Sequence, residues 1–152
     1  MRGHRDAASR AETRYVKRGE GGPVHPNEER IRRFYEHIAA RDVSAITEML
    51  NVDVIAHVPG TGVLAGDYQG REAFMELALR ALAETDGTFK IEPIDILAND
   101  RFAVVLQRWT AQRKGRRVDM NNFNLYRFDA DGMIAERWEI IEDDRSRDAF
   151  WA

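Results

Sequence analysis

Residues 101–142 read RFAVVLQRWTAQRKGRRVDMNNFNLYRFDADGMIAERWEIIE, and this stretch decides the fold. Three runs rich in β-branched and aromatic residues, Phe102 to Arg113, Arg117 to Asp129 and Met133 to Glu142, are separated only by Lys114-Gly115 and Asp129-Ala130-Asp131-Gly132. Connections this short make hairpins, so the runs predict neighbouring antiparallel strands. A fourth run, Phe89 to Ala98, joins them through Asn99-Asp100; its Pro93 cannot donate to a ladder and marks a bulge or an edge.

Upstream the period changes. Ile31, Phe34, Tyr35 and Ile38 recur at helical spacing, with Asn27 placed to cap and Glu28 and Glu29 in the first turn. Asp42 caps a second, short helix expected to bury Val43, Ile46, Met49 and Leu50. Residues 52–58 form a short strand. Pro59, Gly60, Gly62, Gly66 and Gly70 punctuate a loop, and a third helix runs from about Arg71 to Thr85-Asp86-Gly87, with Gly87 suited to a left-handed stop. The order α-α-β-α-β-β-β-β predicts an α+β fold: a curved, cone-shaped, mostly antiparallel sheet with three helices on its concave side.

The chain has 152 residues, 43% of them hydrophobic and 32% charged, which suits one globular domain with a core. Residues 1–26 have no apolar period and hold six Arg or Lys against three Asp or Glu; they are expected to be a disordered tail, and residues 27–152 the folded domain. With a net charge of −3 the body is acidic, which argues against nucleic-acid binding. No apolar run is long enough for a membrane span, and no cysteine is present, so a cytoplasmic protein without disulfides or zinc–thiolate sites is expected. The four histidines show no metal-ligand spacing, and no metal or cofactor is expected.

The strand exit His57-Val58-Pro59-Gly60, the segment Gly66-Asp67-Tyr68-Gln69-Gly70, the turn Arg127-Phe128-Asp129-Ala130-Asp131-Gly132 and the closing Trp138-Glu139 resemble, in this order, the SnoaL-like branch of the nuclear transport factor 2 (NTF2)-like superfamily. That group includes polyketide cyclases, ketosteroid isomerase and limonene epoxide hydrolase. The resemblance covers residues 27–152 and implies a cystatin-like roll around a small-molecule pocket. It also implies a homodimer, with the second face of the sheet, carrying Phe123 and Leu125, covered by another copy. Set against the isomerase's Tyr/Asp/Asp pattern, the chain has Phe34 at the Tyr position, Val58 at the base and Asn124 at the oxyanion Asp. That mechanism is therefore not expected.

In the same register, period-two alternation turns Gln107, Trp109 and Ala111, then Met120, Asn122, Asn124 and Tyr126, then Arg137, Glu139 and Ile141 toward the pocket. A one-residue slip would exchange the faces. Glu139 matches the last-strand carboxylate of the cyclases and is the candidate acid or base, or else the structural partner of Arg137. Asn124, with Asn122, could donate to a carbonyl or enolate oxygen, or serve in cross-strand bonding. His57 could shuttle protons at the pocket mouth if a bulge at Pro59 and Gly60 turned it inward. Phe34, Ile38, Val58, Trp109, Met120, Asn122, Tyr126 and Arg137 are the expected ligand contacts. The ligand is expected to be an apolar carbonyl or epoxide compound. Cofactor-free acid–base catalysis and a non-catalytic binding or dimerisation module both remain open.

Overall fold

The computed structural model describes residues 22–152; the expected tail lies outside the described residues up to position 21. Ten elements follow: α1 Pro26–Ala40, α2 Val43–Glu48, β1 Leu50–Val58, β2 Gly66–Gln69, α3 Arg71–Glu84, β3 Lys90–Ala98, β4 Phe102–Arg113, β5 Arg116–Phe128, β6 Ile134–Ile141 and α4 Asp144–Trp151. The strands make one curved, open sheet in the order β2-β1-β6-β5-β4-β3. All pairings are antiparallel except β1 with β6, which is parallel.

Helix α1 begins two residues earlier than the sequence suggests, capped by His25 rather than Asn27. Pro26 takes the first turn, where its missing N–H costs nothing, and His25 Nδ1 accepts from the Asn27 N–H at 3.1 Å. Asn27 has a different task. Its carboxamide donates to the Asn99 and Asp100 carbonyls at 2.8 and 3.1 Å, fixing the start of α1 to the β3–β4 turn. This leaves Ile31, Phe34 and Tyr35 buried on the face that meets the sheet. In α2, capped by Asp42, only Ile46 is buried; Val43 is half exposed, and Leu50 is buried as the first residue of β1 instead.

The sheet keeps the expected faces. Gln107 pairs with Asn122, Asn124 with Glu139, and Tyr126 with Arg137, so these side chains share the concave side. The Lys114-Gly115 turn has both residues at positive φ (49° and 74°), the geometry of a tight two-residue hairpin. The register slips between Pro93 and Asp95, and β3 is an edge strand, so Pro93 fulfils both readings of its missing donor.

Two elements correct the sequence reading. Gly66–Gln69, expected as loop, is a strand paired to β1. The fourth helix, α4, was not expected at all. Asp143 caps it by accepting from the Ser146 N–H at 3.0 Å, and Phe150 and Trp151 bury at its far end. Trp151 stacks on Trp109 with ring centres 5.9 Å apart. Gly62 is required beside it, because a Cβ there would collide with Trp151 Cβ. Basic residues at the β4–β5 turn reach this helix. Arg113 donates to the main-chain oxygens of Phe150 and Ala152 and pairs with Glu84, and Arg116 donates to Ala149. Cations at a helix C-terminus answer its unsatisfied carbonyls.

Candidate active site

The helices and the concave side of the sheet enclose a cavity of about 680 Å³. Most of its wall is apolar: Phe34 and Ile38 from α1, Val58 from β1, Leu64 from the following loop, Phe74 and Leu77 from α3, and Trp109 from β4. Its polar groups come from adjoining strands: Gln107 on β4, Asn122, Asn124 and Tyr126 on β5, and Arg137 and Glu139 on β6, facing Tyr35 on α1. The period-two faces of the late strands are the reason these six converge.

The polar groups form two knots. In the first, the Tyr35 hydroxyl donates to Gln107 Oε1 at 2.5 Å and lies 2.9 Å from the Tyr126 hydroxyl. The Asn124 amide donates to Gln107 Oε1 at 3.1 Å and reaches the two hydroxyls at 3.3 and 3.4 Å. Burial pushes the Tyr35 hydroxyl well above its ordinary value of 10.0, with the neighbouring Tyr126 adding to it. Burial also raises Tyr126, against the charge of Arg137 and the hydrogen bonds from Tyr35 and Asn124. Both are therefore neutral hydroxyls at physiological pH.

In the second knot, Glu139 is held by Arg147 of α4. Arg147 Nη2 donates to Oε2 at 2.8 Å, and its Nη1 donates to the Pro59 carbonyl at 3.1 Å. Asn122 Nδ2 donates to Oε1 at 3.0 Å. The Arg137–Glu139 pair that the sequence allowed is thus replaced by Arg147–Glu139. Arg137 instead lies over the Phe74 ring, 5.8 Å from its centroid, and its buried Nε meets no acceptor. Asn122 Oδ1 and Asn124 Oδ1 are likewise buried without a donor.

Phe34, Ile38, Val58, Trp109, Asn122, Asn124, Tyr126, Arg137 and Glu139 all line the cavity; Met120 packs against the core beside it and is not part of the lining. His57 does not enter the site either. Ala56 and Val58 point inward, and no bulge intervenes, so His57 must face outward. There it stacks on Trp138, with Nδ1 2.7 Å from Asp67 Oδ1 and Nε2 2.8 Å from Glu136 Oε2. The sequence turns Gln107 toward the pocket without assigning it a role, places Tyr35 only on the apolar face of the first helix, and gives Arg147 no place in the site. Tyr35 was signalled only by adjoining Phe34 on the same helical face, and Arg147 by standing at helical spacing before Trp151. Among the described residues no cluster of three His, Asp or Glu could hold a metal ion. No helix among them is long and apolar enough to cross a membrane.

The sequence pattern of the SnoaL-like domain matches residues 31–137, the span that supplies the cavity lining except Glu139 of β6 and Arg147 and Trp151 of α4. The chain belongs to the SnoaL-like domain family. The uncharacterised protein Rv0034 of Mycobacterium tuberculosis is 29% identical to the chain over 123 residues, covering 80% of this chain and 93% of that one. Bal32a, from a soil-derived mobile gene cassette, superposes with a TM-score of 0.79 at 32% identity, covering 83% and 96% of the two chains. A protein with a cystatin-like fold from Xanthomonas campestris gives 0.77 at 23%, covering 83% and 98%. Fold neighbours at lower identity include a putative polyketide cyclase from Sinorhizobium meliloti (TM-score 0.62, 16% identity, 73% and 93% covered). The epoxide hydrolase/cyclase-like enzyme SalBIII is another (0.63, 19%, 78% and 92%). The NTF2-like, cystatin-like fold that the resemblance implies is the fold of this SnoaL-like chain.

Proposed function

We propose that this SnoaL-like chamber binds an apolar small molecule bearing a carbonyl or epoxide oxygen and acts on it by cofactor-free acid–base chemistry. The observation that carries the reading is the Tyr35–Tyr126 hydroxyl pair, neutral and buried with Asn124 and Gln107 in an otherwise apolar cavity. Preorganised donors in a dry site stabilise charge that develops on a substrate oxygen far better than water does. Glu139, on the neighbouring strand, is the group to exchange the proton. The cyclase and epoxide-acting names among the fold neighbours support this class of chemistry. The ketosteroid isomerase mechanism is no part of it, since Phe34 and Val58 carry no polar side-chain atom.

One observation favours the second reading, a binding module. Both Glu139 oxygens already accept hydrogen bonds from Arg147 and Asn122, which engages the lone pairs a base would use. Proton exchange at the α-carbon of 2-tetralone, followed by NMR in deuterated buffer, tests the choice. Saturable acceleration that Glu139→Gln reduces by about 10²-fold or more supports catalysis. Saturable binding without acceleration supports the module, and no binding sinks both.

The reading includes a two-fold homodimer through the convex face. Leu97, Phe123 and Ile140 are 59%, 39% and 48% exposed there, and Leu106, Phe123 and Ile140 align across three adjacent strands. A band of this kind calls for a cover.

A further inference from the structure

Among the described residues two arginines are buried, Arg113 and Arg147, and both are answered. Arg113 has Glu84 and two main-chain oxygens; Arg147 has Glu139 and the Pro59 carbonyl. Arg137 differs. It lines the cavity from β6 beside its cross-strand neighbour Tyr126, its buried Nε has no partner, and no carboxylate among the described residues lies within ion-pair distance. Its guanidinium lies over the face of Phe74. The nearest carboxylate along its own strand face, Glu139, is committed to Arg147 and Asn122.

A guanidinium held in a mostly apolar chamber without a counter-charge is costly, and an anion is what lowers that cost. The remaining charges of the lining do not supply one. Arg147 and Glu139 cancel, and Arg41 and Lys90 are further cations. The planar fork of an arginine matches a carboxylate in a way that a single ketone oxygen does not. Resting on the reading of this cavity as a small-molecule site, we infer that its ligand is an anion: an apolar, ring-sized molecule whose single carboxylate pairs with Arg137. Its body lies among Phe34, Phe74 and Trp109, and Arg137 orients the molecule, leaving its other oxygen for the Tyr35–Tyr126 hydroxyls. Arg137 is then the specificity-determining residue of the site.

The test compares 2-naphthoate with 2-naphthamide and methyl 2-naphthoate, isosteric rings that differ in charge, by tryptophan fluorescence and calorimetry. Wild-type protein is expected to bind the acid at least about tenfold more tightly than either neutral ring, the size of one charge-assisted hydrogen bond. Arg137→Gln is expected to lose that preference while its affinity for the amide stays the same, and Arg137→Lys to retain part of it. Equal binding of acid and amide by wild-type protein overturns the inference about Arg137 while leaving the chamber reading intact, and needs no variant to fold. Failure of all three rings to bind sinks the chamber reading and this inference with it. Loss of the preference in Arg41→Gln rather than in Arg137→Gln moves the charge to the rim and overturns the assignment.

Discussion

Arg147 Nη2 lies 2.8 Å from Glu139 Oε2, and the two side chains are only 3% and 12% exposed. The contact ties the short C-terminal helix to the last strand and closes one end of the cavity. Removing one member of a buried pair leaves the other charge unanswered, at a cost of about 3–5 kcal/mol. Arg147→Met is therefore expected to lower stability by that amount in urea titrations. The double variant Arg147→Met/Glu139→Gln is expected to recover much of the loss, because no charge is left stranded. A single variant as stable as wild type would show that α4 is held by its tryptophan alone.

The hydroxyl pair gives a second ordering. Tyr35→Phe removes the donor to Gln107 and the partner of Tyr126 together, which at about 1–3 kcal/mol for stranded buried groups is a measurable loss. Tyr126→Phe leaves the Tyr35–Gln107 bond in place and is expected to cost less. Both variants are expected to slow 2-tetralone exchange. If Tyr126→Phe proved the more destabilising of the two in urea, the Gln107 bond would not be the anchor of the knot.

What the sequence made legible follows from period. The late strands alternate cleanly, so period two alone puts Gln107, Asn122, Asn124, Tyr126, Arg137 and Glu139 on one face, and they share it. The elements that were missed lack such a signal. β2 is four residues, Gly-Asp-Tyr-Gln, with no apolar alternation; its backbone pairing with β1 makes it a strand. α4 has eight residues and gathers its large apolar groups at the end, so no helical face repeats. The same gap hid the partner of Glu139, since Arg147 reaches it through tertiary packing and not through strand register. Asn27, a residue type that favours caps, does not cap α1, because its carboxamide donates instead to acceptors on the β3–β4 turn while His25 accepts from its N–H.

The convex face supplies a third prediction. A dimer across Phe123 and Ile140 would bury an apolar band that includes Leu97 and Leu106. Placing a charge there strands it in a desolvated interface. Phe123→Glu is expected to convert the dimer to a folded monomer, read by light scattering at micromolar concentration with unchanged circular dichroism. Wild-type protein that runs as a clean 17.5 kDa monomer would end the proposal.

His57 ties stability to pH on the convex face. Desolvation works to lower its pKa, but the hydrogen bonds to Glu136 and Asp67, with their charges, outweigh it and raise the pKa above the ordinary 6.5. Two carboxylates facing the two ring nitrogens are the acceptors an imidazolium wants. For Glu136, desolvation works upward, but the hydrogen bonds from His57 and Arg127 outweigh it and hold the carboxyl below the ordinary 4.5. The signs then fix a window. A raised histidine contributes stability that is complete below about pH 6.5 and is lost as pH climbs through the folded-state value. A depressed carboxylate contributes above about pH 4.5 and loses that as pH falls through its own folded-state value. His57→Gln removes the first contribution and weakens the second. The difference in melting temperature between wild type and His57→Gln is therefore expected to peak between about pH 5 and 6 and to shrink on both sides, in thermal scans at constant ionic strength. A difference that grew steadily from pH 6 to pH 9 would mean that the fold holds His57 as the neutral ring.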